Sequence, residues 1–198
     1  MRIDIDPTSV PDEQGGSGYA VMTSLIVPRP IAWVSTLSPD GVGNLAPHSF
    51  FTAVSANPPI VAFTSVGEKD TLANVEATGE FVVNLASEPM MNAVNATSAS
   101  FDPGVDEADA CGVRMEPSTV VSAPRVADSP AAIECRLHDT VRVGDSVLVM
   151  GQVVSFSIAA EALDGSRLAR MDVLRPVSRL GGSEWGLPPE VTRLQRPS

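Results

Sequence analysis

Between Arg29 and Leu85 the chain carries four strand-like runs and one helix-like run, joined by very short connections. Ile31 to Leu37 is β-branched and aromatic, and Ser38-Pro39-Asp40-Gly41 follows with proline and glycine where a turn needs them. A second run passes from Asn44 through Ala46-Pro47-His48-Ser49-Phe50-Phe51 to Val54. Asn57-Pro58-Pro59 ends it, because proline removes ladder donors. Ile60 to Thr64 is almost wholly apolar, the pattern of a strand buried on both faces. Lys69-Asp70-Thr71 opens a helix, with Leu72 and Val75 at helical spacing and Gly79 as its stop. Phe81 to Leu85 returns to strand.

The flanks are less constrained. Residues 1–17, with Pro7, Pro11 and Gly15-Gly16, read as a loose arm or a strap on the surface. Tyr19 to Val27 fits either a short helix or an entering strand. Pro28 and Pro30 force an extended entry into the first strand. Glu88 to about Ala96 reads as a helix with Pro89 in its first turn. Residues 97–131, rich in Ser, Pro, Asp and Gly, are the poorest stretch for core building; they are either a functional or partner-contacting loop or a plain surface excursion. Alternation at Ala132 to His138 and the long run Ser146 to Ile158 give two more strands, with Gly151 marking a bulge or bend. Six or seven strands and a few short helices favour an antiparallel barrel, whose closure removes edges. The expected architecture is one domain over residues 1–198, with a tail at 187–198 that frays from Val191.

Charge narrows the function classes. The net charge is −11, and Lys69 is the single lysine. Nucleic acid binding rests on clustered Lys and Arg, so it is not expected, nor is an anionic membrane surface. No apolar stretch reaches the ~20 residues of a membrane span. Met1 to Pro7 lacks a basic start and apolar core, so the default localisation is cytoplasmic. Cys111 and Cys135 make neither a disulfide framework nor a zinc spacing, and His48 and His138 have no carboxylate cluster beside them, so no metal site is expected. An anionic ligand would have to be held by a few cations, hydroxyls and backbone N–H groups.

Arg29-Pro30-Ile31-Ala32-Trp33-Val34-Ser35-Thr36, Asn44-Leu45-Ala46-Pro47-His48-Ser49-Phe50-Phe51, Lys69-Asp70-Thr71-Leu72-Ala73-Asn74 before Glu80-Phe81-Val82-Val83-Asn84-Leu85, and the late Pro176-Val177-Ser178-Arg179-Leu180-Gly181-Gly182 occur in this order. In that combination the chain resembles the flavin reductase-like family with the FMN-binding split barrel, over roughly residues 18 to 186. The resemblance implies a mainly β, Greek-key split barrel. It implies an FMN-binding oxidoreductase that moves hydride from NADH or NADPH to flavin, in some members for a separate monooxygenase, and commonly a homodimer. Two other readings stay open: a flavin-binding electron carrier with little turnover, and a split barrel holding another cofactor such as haem on His48 or His138.

The residues suit a flavin mononucleotide. Ser65 and Thr71 offer hydroxyls, Lys69 an ammonium, and Lys69-Asp70-Thr71 a helix N-terminus for the phosphate. By position in the family motif, Trp33, Ser35, Thr36, Asn44, Pro47, His48, Ser49, Phe50 and Phe51 are implied to line the ring. Pro47 has no N–H, so Ser49 and Phe50 are the better backbone donors. Trp33 and Phe51 read equally well as barrel core, and Phe50 and Phe51 should point to opposite faces. His48 is either structural or a contact to substrate and nicotinamide, and it is the one candidate catalytic side chain. Arg179 and Trp185 either approach a flavin across a dimer interface or tie down the terminus. Hydride transfer between stacked rings needs no protein nucleophile. Gly41-Val42-Gly43 lies in a hairpin and is no dinucleotide fingerprint, so a nicotinamide would bind transiently.

Overall fold

The structure is a computed structural model that describes residues 2–7, 18–102 and 104–197. Most of the expected N-terminal arm, including Pro11 and Gly15-Gly16, lies outside the described residues. In chain order the elements are α1 (Tyr19–Leu25), β1 (Arg29–Pro30), β2 (Ala32–Leu37), β3 (Gly43–His48), β4 (Phe51–Ala56), β5 (Pro59–Val66), α2 (Asp70–Thr78) and β6 (Glu80–Leu85). A single 3₁₀ turn then leads into α3 (Met91–Ala96), followed by α4 (Glu107–Ala110), β7 (Met115–Glu116), β8 (Arg125–Val126), β9 (Ala131–Val143), β10 (Ser146–Ile158), α5 (Met171–Leu174), β11 (Ser178–Arg179) and β12 (Trp185–Gly186). Tyr19 to Leu25 is thus helix, the first of its two open readings. Among the described residues no helix is long and apolar enough to cross a membrane.

Seven antiparallel strands form one sheet in the order β3-β2-β6-β9-β10-β5-β4. Its two end strands, β3 and β4, are consecutive in the chain and joined only by Ser49 and Phe50. The sheet must therefore curl until its edges meet at that corner, which makes it a barrel split between β3 and β4. The second run read from Asn44 to Val54 is broken here. Its hydrophobicity continues through Ser49-Phe50, so composition alone does not mark the corner. The Phe50 carbonyl accepts from Thr64 N–H at 2.9 Å and holds the turn against β5.

The barrel interior is filled. Phe63, Phe81, Leu72, Val75, Val149 and Cys135 are wholly or almost wholly buried in one cluster, and α2 supplies Leu72 and Val75 as its plug. Gly79, at φ 73°, ends α2 by donating to the Val75 carbonyl at 2.9 Å. At Gly151 the β9–β10 ladder slips register, and a Cβ there would sit 2.2 Å from Phe81 Cζ. Glycine is required by that ring's approach. A tricyclic ligand has no room inside such a core.

Residues 97–131 depart from expectation. The segment contributes Ala108, Val121, Ala123 and Val126 to two buried clusters that cover the outside of the barrel. Carboxylates and amides from the strands hold it where few apolar residues could. Glu134, fully buried on β9, accepts from Thr119, Val120 and Val121 N–H at 2.9, 2.6 and 3.2 Å. Asn84 on β6 accepts from Val126 N–H at 2.8 Å. Low hydrophobicity here hid a segment ordered by buried hydrogen bonds to charged and amide groups.

Candidate functional site

Strand β3 is the organising element, because it is an edge strand with a different set of residues on each face. Its register against β2 pairs Ala32 with His48, Val34 with Ala46 and Thr36 with Asn44, alternating with Trp33–Pro47 and Ser35–Leu45. Pro47 has no N–H to give, and Leu45 N–H is taken at 2.8 Å by the Glu107 carboxylate from α4. Backbone groups of Leu45 and Pro47 therefore point away from β2, along the free edge. Glu107 occupies that edge at Leu45; beyond it the edge runs open toward Pro47 and Ser49.

On one face lie Asn44 and His48, with the 65–71 segment. Asn44 Nδ2 donates to Thr71 Oγ1 at 2.9 Å and Thr36 Oγ1 at 3.3 Å, and Asn74 Nδ2 donates to the same Thr36 oxygen at 3.0 Å. This buried network ties the first turn of α2 to β2 and β3. Lys69 is the N-cap of α2 in an extended conformation with no side-chain cap, so the helix presents uncapped N–H groups beside an exposed ammonium. Ser65 is buried and its hydroxyl donates to the Gly67 carbonyl at 3.0 Å, shaping the turn before Lys69.

His48 is 7% exposed, its ring centroid 4.7 Å from that of Phe63. Nδ1 lies 3.3 Å from the Thr64 carbonyl, which can only accept, so Nδ1 carries the proton and Nε2 is a bare acceptor. Nε2 is buried and has no partner among the described residues. Burial holds the imidazole pKa down to about 4; the Thr64 bond opposes this and the nearby Lys69 charge adds to it. His48 is thus neutral, a poor general acid and an acceptor in wait of a donor. His138 is exposed on β9.

On the other face Pro47 and Ser49 line a cleft of about 170 Å³ with Ile31, Val94, Asn95, Ser98, Arg179 and Trp185. Its outer wall is the three-stranded β1-β11-β12 sheet, in which Arg29 pairs with Arg179 and Arg179 with Trp185. The Arg179 guanidinium stands 5.1 Å from the Trp185 ring centroid and donates to the Gly182 carbonyl at 2.6 Å. The central and late sequence motifs therefore meet within one chain.

Three candidates have their side chains engaged elsewhere. Trp33 is fully buried, with Nε1 donating to Thr97 Oγ1 at 2.9 Å. Ser35 donates to the Pro124 carbonyl at 2.5 Å and accepts from Asn84 at 3.0 Å, pinning the long loop. Phe51 packs on the barrel core, whereas Phe50 turns the other way, toward Tyr19 at 6.4 Å between centroids. Asp70 is exposed at the first position of α2. Sequence reading did not single out Asn74, Asn95, Ser98 or Glu107. Asn74 was within reach as the last residue of its own motif; the others come from elements whose docking no local pattern announces.

Comparison with known proteins agrees with this architecture. The flavin reductase like domain matches residues 22–172. Nitrilotriacetate monooxygenase component B from Bacillus cereus superposes with a TM-score of 0.91 at 31% identity, covering 98% of this chain and 99% of that one. The 2-nitrobenzoate 2-nitroreductase of Pseudomonas fluorescens gives 0.90 at 30%, covering 99% and 97%. A split-barrel-domain protein from Shewanella frigidimarina shares the fold at 0.85 and 20%, covering 91% and 92%. By its matched domain and its split barrel, this chain belongs to the flavin reductase-like family.

Proposed function

We propose that the chain binds FMN across the free edge of β3 and uses it to oxidise NADH or NADPH, acting in the cytoplasm as the reductase of a two-component monooxygenase. The observation that carries this is the division of the candidate residues. Phosphate chemistry (Lys69, the α2 N-terminus, Ser65, Thr71, Asn44) lies on one side of β3, and a cleft edged by Pro47, Ser49, Arg179 and Trp185 lies on the other. A ligand with a phosphate at one end and a flat ring at the other fits that division, and the filled barrel leaves it only the outside.

The residues fit the cofactor in specific ways. Lys69 and the uncapped N–H groups of α2 meet the dianion. The bare Nε2 of His48 meets a hydroxyl donor of the ribityl chain. Ser49 and Phe50 N–H groups face the polar edge of the ring, where negative charge gathers on reduction. Trp33, Ser35 and Thr36 stiffen β2 beneath it. When bound, the flavin supplies the two-electron chemistry, taking the hydride that oxidises the dihydronicotinamide.

An oxygenase partner is supported by the neighbour that is a monooxygenase component B. Two free thiols, Cys111 and Cys135, suit a reducing compartment. A homodimer is supported by Leu25, Ile26 and Val27 on the α1 flank and Val54 on β4, which are 41–75% exposed in the single chain. A second copy would bury them and shelter the ring.

The test is a spectrum followed by a turnover assay. Protein loaded with FMN is expected to show flavin absorbance and to oxidise NADH or NADPH in air, and light scattering is expected to give twice 20.7 kDa. Flavin absorbance without nicotinamide oxidation would make the chain an electron carrier; a single-chain mass with FMN bound would remove the shared site.

A further inference from the structure

The cations of this acidic chain are unevenly committed. Among the described residues, Arg114, Arg125, Arg136, Arg142, Arg170 and Arg175 are in ion pairs with carboxylates. Arg179, like Arg29, Arg167, Arg193 and Arg196, is in none of these pairs, and of these five it is the one that lines the cleft, although it is only partly exposed and Glu184 lies on its own hairpin. It faces Arg29 across the β1–β11 pair, and each guanidinium sees the other's charge. Arg29 spends its terminal nitrogens on the carbonyls of Thr23, Ile26 and Leu180. Arg179 thus stands at the cleft wall with the buried positive charge of Arg29 beside it.

Position decides what they are for. One FMN carries one phosphate, and Lys69 with the α2 N-terminus provides for it on the opposite side of β3. A second uncompensated cation at the ring end answers a second anion. Resting on the reading above, the other reactant is a nicotinamide dinucleotide, whose pyrophosphate must lie near the flavin when the two rings stack. The geometry points to Arg179, braced by the Trp185 ring and the Gly182 carbonyl, as the residue that reads the pyrophosphate of the hydride donor. Asn95 and Ser98, on the facing wall from α3, border the path of the donor's ribose. Bracing matters because an arginine already fixed on two partners loses little side-chain freedom on meeting the ligand.

The test compares Arg179→Gln and Arg179→Lys with wild type, each loaded with FMN. ADP-ribose, which has the pyrophosphate and no redox ring, is titrated by calorimetry. Steady-state rates are then taken with NADH and with 1-benzyl-1,4-dihydronicotinamide, a donor with no phosphate. FMN and riboflavin affinities are measured by fluorescence without any donor. In Arg179→Gln, ADP-ribose affinity and KM for NADH should each worsen about tenfold, the loss of one hydrogen bond to a charged group. Arg179 also borders the ring cleft, so any loss of flavin affinity should be the same for FMN and riboflavin. KM for NADH should worsen about tenfold more than KM for the benzyl compound, and Arg179→Lys should recover part of that difference. Equal damage with both donors, or unchanged ADP-ribose binding, overturns the assignment. So does a selective loss of FMN over riboflavin, which would make Arg179 a ligand of the flavin's own phosphate. A wild type that binds FMN but oxidises neither donor overturns the reductase reading and the assignment with it; an active wild type matched by Arg179→Gln overturns the assignment alone.

Discussion

Two buried glutamates should answer the same substitution in opposite directions. Glu134 accepts three loop N–H groups and lies 4.0 Å from Arg125 Nη1. In Glu134→Gln the amide oxygen does best at the Oε2 position, where it still serves Val120 and Val121. The new NH₂ then faces Thr119 N–H, donor to donor. One buried donor left unmet costs about 1–3 kcal/mol, and two charge-assisted bonds become neutral ones, so the loss is about 3 kcal/mol. Glu107→Gln differs. A single carbonyl oxygen suffices for Leu45 N–H at 2.8 Å, and the substitution removes a buried charge that burial already disfavours. The result should lie between unchanged and about 1 kcal/mol more stable at pH 7–8. Urea unfolding of the single variants gives both numbers. The pH dependence provides a second check. Burial alone would raise the Glu134 pKa, but the three N–H groups and Arg125 outweigh it and hold the group below its ordinary 4.5. Its contribution is therefore complete above that value and lost as pH falls through the lower folded value. Burial holds Glu107 above 4.5, so its effect is reversed: stability is greater below 4.5 and declines as pH rises through the folded value. If Glu134→Gln costs under 0.5 kcal/mol, or both variants shift alike, the account of how the 97–131 segment is held is refuted.

Two further outcomes follow from the site. Lys69→Ala should weaken FMN by about 1.5–3 kcal/mol and riboflavin little, because only FMN has the dianion; equal loss measured by fluorescence titration would make Lys69 structural. His48, with its pKa moved from 6.5 to about 4, should contribute about 3 kcal/mol of stability that is complete above pH 6.5 and lost as pH falls toward 4. His48→Asn should flatten that limb of the urea-midpoint profile, and an unchanged limb would show that another group titrates there.

The barrel was legible in the sequence where patterns are local. The apolar run from Ile60, the glycine stop at Gly79 and the special position of Gly151 each have one physical cause, and each appears where expected. The corner at Ser49-Phe50 was not legible, because it is set by where the far edge of the sheet arrives. Pro47, Ser49, Arg179 and Trp185 were nominated one motif at a time, and the strand pairing of β1 with β11 is what unites them. Trp33 had two readings; it is fully buried with its indole N–H satisfied by Thr97, in the cluster on the outside of the barrel rather than in its interior. Glu107 was hidden because it sits among acidic neighbours in Asp106-Glu107-Ala108-Asp109, and nothing local shows that a strand edge with an unpaired N–H is set against it.

The uneven commitment of the cations also governs how ligands arrive. With a net charge of −11, the molecule repels a phosphate dianion at long range, and arginines locked in ion pairs contribute little net field. Attraction becomes local, and at the candidate site it comes from Lys69 and from Arg179 with Arg29 behind it. At a physiological Debye length of about 8 Å the repulsion is largely screened while those short contacts survive. Encounter with flavin and nicotinamide nucleotides should then be slower in dilute buffer than in a cell-like salt solution. The protein admits anions by proximity rather than by steering.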